Sequence, residues 1–211
     1  MKSYKDEKIE RIFPLENGFI LWPRPNHVRT FKQILMIHQH LFEEVVPGRD
    51  SIAVLSTSKT REQLFYLVLD LLEDFSIQED DVINPRQHLL PIQYDWNGED
   101  VLGLCKLLSI DQESLFEIHA SCTFTVEFFG FLPGFPYMSG LAESLQVPRK
   151  SRATKNVKAG SVAIANDMCG IYPQDSPGGW HVIGHIEEPL FDARLEPPSY
   201  IFPGDAVNFI P

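Results

Sequence analysis

Side chains that bind carboxylates or transfer protons are concentrated in the second half of the chain. His119 ends a predicted helix just before a strand, where an imidazole can act as a donor, an acceptor or an acid–base group near neutral pH. Arg149 follows Pro148, so its backbone is expected to be extended, and its guanidinium matches the geometry of a carboxylate. The alternatives are that His119 only caps the helix end and that Arg149 is a solvated surface residue.

Three large aromatic side chains and one serine are the other candidates for binding. Tyr137, Tyr172 and Trp180 carry polar groups on apolar rings and are candidates to line a pocket, although core packing also explains each one. Ser161 follows a glycine, as a hydrolase nucleophile can, but no base lies near it in the sequence. We therefore interpret Ser161 as a turn or pocket hydroxyl.

Two turns rich in glycine and proline surround these side chains. Glycine tolerates positive φ and close approach, and proline fixes φ, so such turns are rigid and lined by backbone. This suits recognition of a small polar ligand or of another chain, and the alternative is a β-barrel with many tight corners. The turn residues predicted to form a pocket or an interface are Gly130, Phe131, Pro133, Gly134, Pro177, Gly178, Gly179 and Trp180.

Several common chemistries are excluded by missing motifs. The chain has no G-x-x-x-x-G-K-[ST] loop, so it is not expected to bind ATP by that route, and it has no G-x-S-x-G or H-E-x-x-H motif. His181 and His185 lie on a predicted strand and would be roughly 13 Å apart along it, too far for one metal ion. No metal site is therefore expected.

Charge and cysteine content restrict the partners and the compartment. The net charge of −11 argues against nucleic acid or an anionic membrane as a partner. No stretch approaches the roughly 20 apolar residues that span a bilayer, and the first residues are polar. The 3 cysteines are odd in number and lack metal-site spacing. Together these features predict a cytoplasmic protein with reduced thiols.

Helical periodicity dominates the first part of the chain. Apolar residues recur at helical spacing from Phe31 to Val45, a strand is predicted at Ser51–Ser56, and Thr60 with Gln63 fits a capping box that opens a second helix. With a closing strand at Leu89–Tyr94, the order becomes β-α-β-β-α-β. Residues 1–94 are therefore predicted to form a small ferredoxin-like α/β domain.

The pattern changes in residues 95–211. Two short helices are predicted to open near Gly98 and at Asp111, and alternation over Thr123–Phe129 then indicates a half-buried strand. Further short strands are predicted near residues 161–165, 170–172, 181–186 and 206–210. Many short strands and few helices are typical of a compact barrel or sandwich, which makes the fold α+β.

Six motifs in order resemble one family. They are G-F-L-P-G-F-P-Y-M from Gly130, V-P-R from Val147, A-G-S-V-A-I-A from Ala159, G-I-Y-P from Gly170, S-P-G-G-W-H-V-I-G from Ser176, and the closing Phe202–Phe209. The family is that of the B-type subunits of 5-oxoprolinase, also described as allophanate hydrolase subunit 1-like or sporulation-kinase-inhibitor proteins, with a carboxyltransferase-type domain. The resemblance is dense from His119 to Phe209.

The resemblance implies a small α/β domain followed by a cyclophilin-like β-barrel. It also implies a subunit of an ATP-dependent hydrolase that opens 5-oxoproline to glutamate, together with a larger homologous subunit (the C-type subunit of 5-oxoprolinase, allophanate hydrolase subunit 2-like) and an amidohydrolase-like subunit. This chain would bind no cofactor, and ATP would act in the assembled complex. His119 would be catalytic, and Arg149, Tyr137, Ser161 and Tyr172 would bind substrate. The alternative is a regulator that inhibits a sensor histidine kinase through the cyclophilin-like domain.

The chain departs from the family pattern at several positions. Where a second Pro-Arg pair is usual after Arg149, this chain has Ala153 and Thr154, and Gly184-His185-Ile186 replaces the usual G-R-T. Losing one arginine from a carboxylate site removes a charge-assisted contact of about 1.5–3 kcal/mol. A different substrate, or a binding scaffold without activity, is therefore an open interpretation.

Overall fold

A computed structural model describes residues 6–74 and 85–211, which belong to two compact units. The division falls between residues 74 and 85, earlier than the predicted boundary at residue 94. The reason is that Gln87–Pro91 and Gln93–Tyr94 pair in the sheet of the second unit instead of closing the sheet of the first. The predicted closing strand of the first domain was therefore assigned to the wrong sheet.

Over residues 6–74, the first unit is a four-stranded antiparallel sheet with two α-helices. Its elements are β1 (Ile9–Leu15), β2 (Gly18–Pro23), α1 (Val28–Ile37), β3 (Glu44–Pro47), β4 (Ile52–Leu55) and α2 (Arg61–Asp74). The strand order is β1-β2-β4-β3, so β2-α1-β3-β4-α2 follows the ferredoxin-like path. Strand β1 occupies the edge position that the last strand of that fold would take.

Local sequence signals explain how these elements begin and pack. The predicted capping box is present, because the Thr60 N–H donates to Gln63 Oε1 at 2.9 Å and the Gln63 N–H donates to Thr60 Oγ1 at 3.3 Å. The apolar faces of both helices pack on the sheet, with Phe31, Leu35 and Leu64 among the fully buried side chains. The first unit therefore has its own hydrophobic core.

Over residues 85–211, the second unit contains two α-helices and ten strands. They are β5 (Gln87–Pro91), β6 (Gln93–Tyr94), α3 (Glu99–Leu108), α4 (Gln112–Ser121), β7 (Phe124–Phe129), β8 (Pro136–Ser139), β9 (Thr154–Val157), β10 (Ser161–Ala165), β11 (Met168–Ile171), β12 (Ser176–Gly178), β13 (His181–His185) and β14 (Ala206–Ile210). The predicted helices and alternating strands of this region are confirmed, and the predicted cap of α4 is present because the Ser114 N–H donates to Asp111 Oδ1 at 2.8 Å.

Eight of these strands form a nearly closed barrel. The order is β5-β14-β7-β8-β11-β10-β13-β6, and its two outermost strands, β5 and β6, are separated only by Ile92. Residues 87–94 thus pair with β14 through β5 and with β13 through β6. Between the two strands, the Ile92 N–H donates to the Ile210 carbonyl at 2.8 Å. This arrangement confirms the predicted α+β class, with an α/β unit followed by a cyclophilin-like barrel.

Alternation along β10 separates two packed faces. Val162 and Ile164 belong to the main core, which also receives the apolar faces of α3 and α4. Ala163 and Ala165 face a smaller cluster that contains Trp180 among other aromatic side chains. All residues of β10 are buried, because both faces of the strand are covered. The candidate site residues are distributed over these two faces.

Candidate functional site

Arg149 lies on the aromatic face, above Trp180. Its guanidinium carbon is 5.9 Å from the centre of the Trp180 ring, within the range of a cation–π contact, and its side chain is exposed. The neighbouring backbone is fixed, because the Lys150 N–H donates to the Gly179 carbonyl at 2.8 Å. Arg149 is therefore an exposed cation on an ordered segment, which suits the predicted role in carboxylate binding.

Below Arg149, aromatic rings form a continuous cluster. Phe135, Tyr172 and Trp180 are buried, and Phe135 contacts the other two edge-on at centroid distances of 5.1 Å and 5.6 Å. Tyr137 is half-buried, stacks on Phe128 at 4.6 Å and meets Trp180 edge-on at 5.5 Å. Three residues predicted independently as pocket residues, Tyr137, Tyr172 and Trp180, thus belong to one cluster beside Arg149.

Tyr172 is held rigidly inside this cluster. Burial raises the pKa of its phenol, and a hydrogen bond with the Trp180 backbone opposes that shift only in part. Its hydroxyl lies so close to Gly178 that a Cβ added to Gly178 would overlap it. The side chain is 1% exposed, so Tyr172 supports the site from below and presents little surface to a ligand.

We expect Gly178→Ala to destabilise the protein by about 1–3 kcal/mol, since the new methyl group collides with the Tyr172 hydroxyl in a packed region. Gly179→Ala is the matched control, because a Cβ at Gly179 would have nothing within 4 Å. Urea unfolding of both variants measures the difference. Adding Tyr172→Phe should recover part of the loss in Gly178→Ala, and an equal effect of the two glycine variants would contradict this packing argument.

The turn between β7 and β8 is rigid and presents an aromatic ring to solvent. Phe131 has φ of 66°, rare for a bulky residue, and Gly134 follows with φ of 78°. The Leu132 N–H donates to the Gly130 carbonyl at 2.7 Å. The Phe131 ring is 59% exposed and touches Phe135 edge-on at 5.5 Å. Pro133 in the same turn is also exposed, so the turn forms a wall beside the aromatic cluster. On the second predicted turn, Pro177 is exposed.

A cleft shares Tyr172 with the aromatic cluster. Its lining includes two glycines, two ring-bearing side chains and two carboxylates. They are Gly134, Gly160, Tyr172, His185, Glu187 and Glu188. Gly160 has φ of 81°, and a Cβ there would overlap the Ile186 carbonyl and the His185 ring. From the sequence, His185 was rejected as a metal ligand and was noted at the position where an arginine is usual in the family. That replacement was the available sequence signal for its place in this cleft.

Ser161 is buried at 6% exposure and is not among the residues that line this cleft. Its carbonyl accepts a hydrogen bond from the Tyr172 N–H at 2.9 Å, and it pairs with His185 across β10 and β13. Alternation places its side chain on the same face as Ala163 and Ala165. The Ser161 side chain therefore lies buried on the aromatic face.

His119 lies in the main core, apart from the aromatic face. It is 0% exposed, shares a 2.8 Å hydrogen bond between Nδ1 and the Tyr94 hydroxyl, and has Cys169 Sγ 3.6 Å from Nε2. Phe124 and Phe209 pack against the imidazole at centroid distances of 5.1 Å and 5.0 Å. Burial lowers the pKa of His119 to about 3. An enclosed neutral imidazole does not reach a substrate, so this geometry does not support the predicted catalytic role.

The burial of His119 predicts a pH dependence of stability. Its pKa is lowered in the folded state, so below the unfolded value near 6.5 the unfolded chain binds a proton that the folded chain does not. This contribution to stability is complete above pH 6.5 and should fall by about 2 kcal/mol between pH 6.5 and pH 5.

His119→Gln, which keeps a hydrogen-bonding group for Tyr94, should remove that part of the pH slope. Urea unfolding at several pH values measures it, and the region above pH 7.5, where histidine is neutral in both states, is the internal control. Identical slopes for the variant and the wild type between pH 6.5 and pH 5 would contradict the buried neutral state.

Within residues 6–74 and 85–211, no three histidine, cysteine, aspartate or glutamate side chains are grouped so as to hold a metal ion. No helix in the described part of the chain is both long enough and apolar enough to cross a membrane.

Comparison with known proteins gives a consistent match. The family model described as carboxyltransferase domain, subdomain C and D, matches residues 24–201. The B-type subunit of the 5-oxoprolinase of Escherichia coli O157:H7 is 33% identical over 197 residues, which are 89% of this chain and 88% of that protein.

Two solved structures are similar in fold. The crystal structure of TTHA0988 matches with a TM-score of 0.75 and 26% identity over 89% of this chain, and the match covers 37% of that chain. The urea amidolyase of Kluyveromyces lactis matches all of this chain with a TM-score of 0.66 and 15% identity, but only 16% of that chain is covered, so this likeness concerns the fold alone.

Proposed function

This chain belongs to the family of carboxyltransferase domains, subdomains C and D, and from that membership we propose that it is one subunit of a 5-oxoprolinase-type complex. The observation that carries the proposal is the match to a B-type 5-oxoprolinase subunit over 89% of this chain and 88% of that protein. A match of this extent includes both structural units, which supports a role for the whole chain in such a complex.

The complex would contain other subunits that supply the nucleotide chemistry. We propose a larger homologous subunit and an amidohydrolase-like subunit as partners, with ATP used by the assembled complex. The absence of a G-x-x-x-x-G-K-[ST] loop from this sequence supports placing ATP elsewhere in the assembly. The exposed Phe131 turn beside the aromatic cluster would face a partner subunit.

The proposed contribution of this chain is to bind the substrate. 5-Oxoproline is a small ring with one carboxylate, so it suits a guanidinium next to aromatic side chains. Arg149 would pair with the carboxylate, and the half-buried Tyr137 would contact the ring beside Trp180. Since His119 is enclosed in the core, we assign no proton transfer to this chain, and that step falls to a partner subunit.

Reconstitution tests the proposal. The chain is purified from its native host under mild conditions, the co-purifying subunits are identified, and glutamate formation from 5-oxoproline is followed with and without ATP. We expect ATP-dependent glutamate formation from the assembled complex and none from the isolated chain. Turnover by the isolated chain would contradict the subunit role. A sensor histidine kinase as the only stable partner would favour the regulator that the sequence also allowed.

A further inference from the structure

The segment that carries Arg149 is tied to the strand below it on both sides of the arginine. His181 Nε2 donates to the Pro148 carbonyl at 3.0 Å, and the Lys150 N–H donates to the Gly179 carbonyl at 2.8 Å. Arg149 itself lies between these two anchors, so its backbone position depends on how firmly this segment is held against the start of β13.

A carboxylate on α3 bonds both to the segment that carries Arg149 and to β13. Asp100, in the first turn of α3, accepts a hydrogen bond from Lys150 Nζ at 2.6 Å and from the Val182 N–H at 2.9 Å, both through Oδ2. Lys150 Nζ also donates to Thr154 Oγ1 at 2.7 Å. The Lys150 and Asp100 side chains are only 14% and 21% exposed, so this ion pair is better shielded than a surface pair.

We propose that Asp100 is a positioning residue for Arg149, an inference that rests on the proposed function of the site. By holding Lys150 and Val182 together, Asp100 fixes the backbone of Arg149 so that the guanidinium stays above Trp180. Pairing with a carboxylate through two parallel hydrogen bonds requires such a fixed geometry. Asp100 acts through Arg149 and does not itself contact the substrate.

Kinetics of the assembled complex provide the first test. Asp100→Asn keeps the size of the side chain but removes the ion pair, and we expect KM for 5-oxoproline to rise about tenfold with kcat nearly unchanged. Because Asp100 acts through Arg149, the double variant Asp100→Asn/Arg149→Ala should be no weaker than Arg149→Ala alone. Glu99→Gln, which removes an exposed charge from the same helical turn, is the control and should behave like the wild type.

Limited proteolysis of the isolated chain provides a second test that does not depend on the substrate. Trypsin cleaves after Arg149, Lys150 and Arg152, and mass spectrometry identifies those cuts. We expect faster cleavage within this segment in Asp100→Asn and, after Arg149 and Arg152, in Lys150→Gln, which breaks the same ion pair from its other side.

Together, the kinetics and the proteolysis distinguish a failure of the positioning role of Asp100 from a failure of the proposed function. Faster cleavage without any 5-oxoproline turnover would support the anchoring of the segment while contradicting the proposed function. Wild-type cleavage and wild-type KM in both variants would overturn the positioning role. Additive effects in the double variant would also overturn it, because independent contributions mean that Asp100 does not act through Arg149. If Asp100→Asn does not fold, Lys150→Gln alone decides between these outcomes.

Discussion

Replacing Arg149 with alanine is expected to raise KM for 5-oxoproline about 10- to 150-fold in the assembled complex, with little change in kcat. The range corresponds to about 1.5–3 kcal/mol for a hydrogen-bonded contact to a charged group. KM should change rather than kcat because a carboxylate remote from the lactam bond is held equally in the ground state and the transition state. The KM of Arg149→Lys should lie between those of the wild type and Arg149→Ala, since lysine keeps the charge but loses the second parallel hydrogen bond.

A nearby arginine provides the matched control for this prediction. Arg152 is exposed in the same segment, and its replacement with alanine removes one positive charge, as Arg149→Ala does. Steady-state kinetics of Arg149→Ala, Arg149→Lys and Arg152→Ala, with assembly checked by size-exclusion chromatography, measure the effect. Equal KM values for all three variants and the wild type would show that Arg149 is not the carboxylate anchor. Failure of Arg149→Ala to assemble would place it at a subunit interface instead.

The local elements of this fold could be predicted because their signals lie close together in the sequence. Alternation predicted β7, turn signals marked off β14, and the caps at Thr60 and Asp111 predicted where α2 and α4 begin. Periodicity identifies a strand but not its partner. The strand predicted at Leu89–Tyr94 was therefore assigned to the end of the first domain, although Gln87–Pro91 and Gln93–Tyr94 pair with strands far along the chain.

The candidate site shows the same division between local and distant information. The turns and Arg149 were proposed from residue type and from the resemblance, and their roles stay predictions. The catalytic role predicted for His119 is not supported by its burial, and its position at a helix end does not reveal whether it faces solvent or the core. The role proposed for Asp100 was not predicted from the sequence, because an acidic residue in a first helical turn is common and its contact with Lys150 joins positions 50 residues apart.

Asp205 lies just before β14 and holds that strand in the barrel, and we expect the removal of the Asp205 side chain to have the largest effect on stability. Its carboxylate accepts hydrogen bonds from the Arg86 N–H at 3.1 Å, from Arg86 Nη2 and His88 Nε2 at 2.8 Å, and from the Phe202 N–H at 2.9 Å. The Asp205 side chain is 3% exposed. Asp205 thus connects the start of β14 with β5, its parallel neighbour, and with the turn that precedes β14.

Asp205→Ala should lower the free energy of unfolding by about 3 kcal/mol, because it leaves several buried donors without an acceptor. This is the lower end of the range for buried ion pairs, since the Arg86 side chain is 53% exposed and is partly solvated in the variant. Asp175→Asn is the control, because its ion pair with Lys158 joins two largely exposed side chains and should contribute little. Urea unfolding at pH 7 measures both, and a similar small loss in the two variants would contradict the anchoring role.

The pH dependence of Asp205→Asn tests the same contact without deleting the side chain. Burial raises the pKa of Asp205, but the hydrogen bonds from Arg86 and His88 outweigh it and leave the pKa below its usual range. A carboxylate with a lowered folded pKa contributes its full stability above the unfolded value of 3.8 and loses that contribution as the pH falls through the folded value. The gap in unfolding free energy between the wild type and Asp205→Asn should therefore stay constant from pH 7 to about pH 4.5 and narrow below it. A gap that does not narrow below about pH 4.5 would show that the ionised carboxylate is not what holds β14 in place.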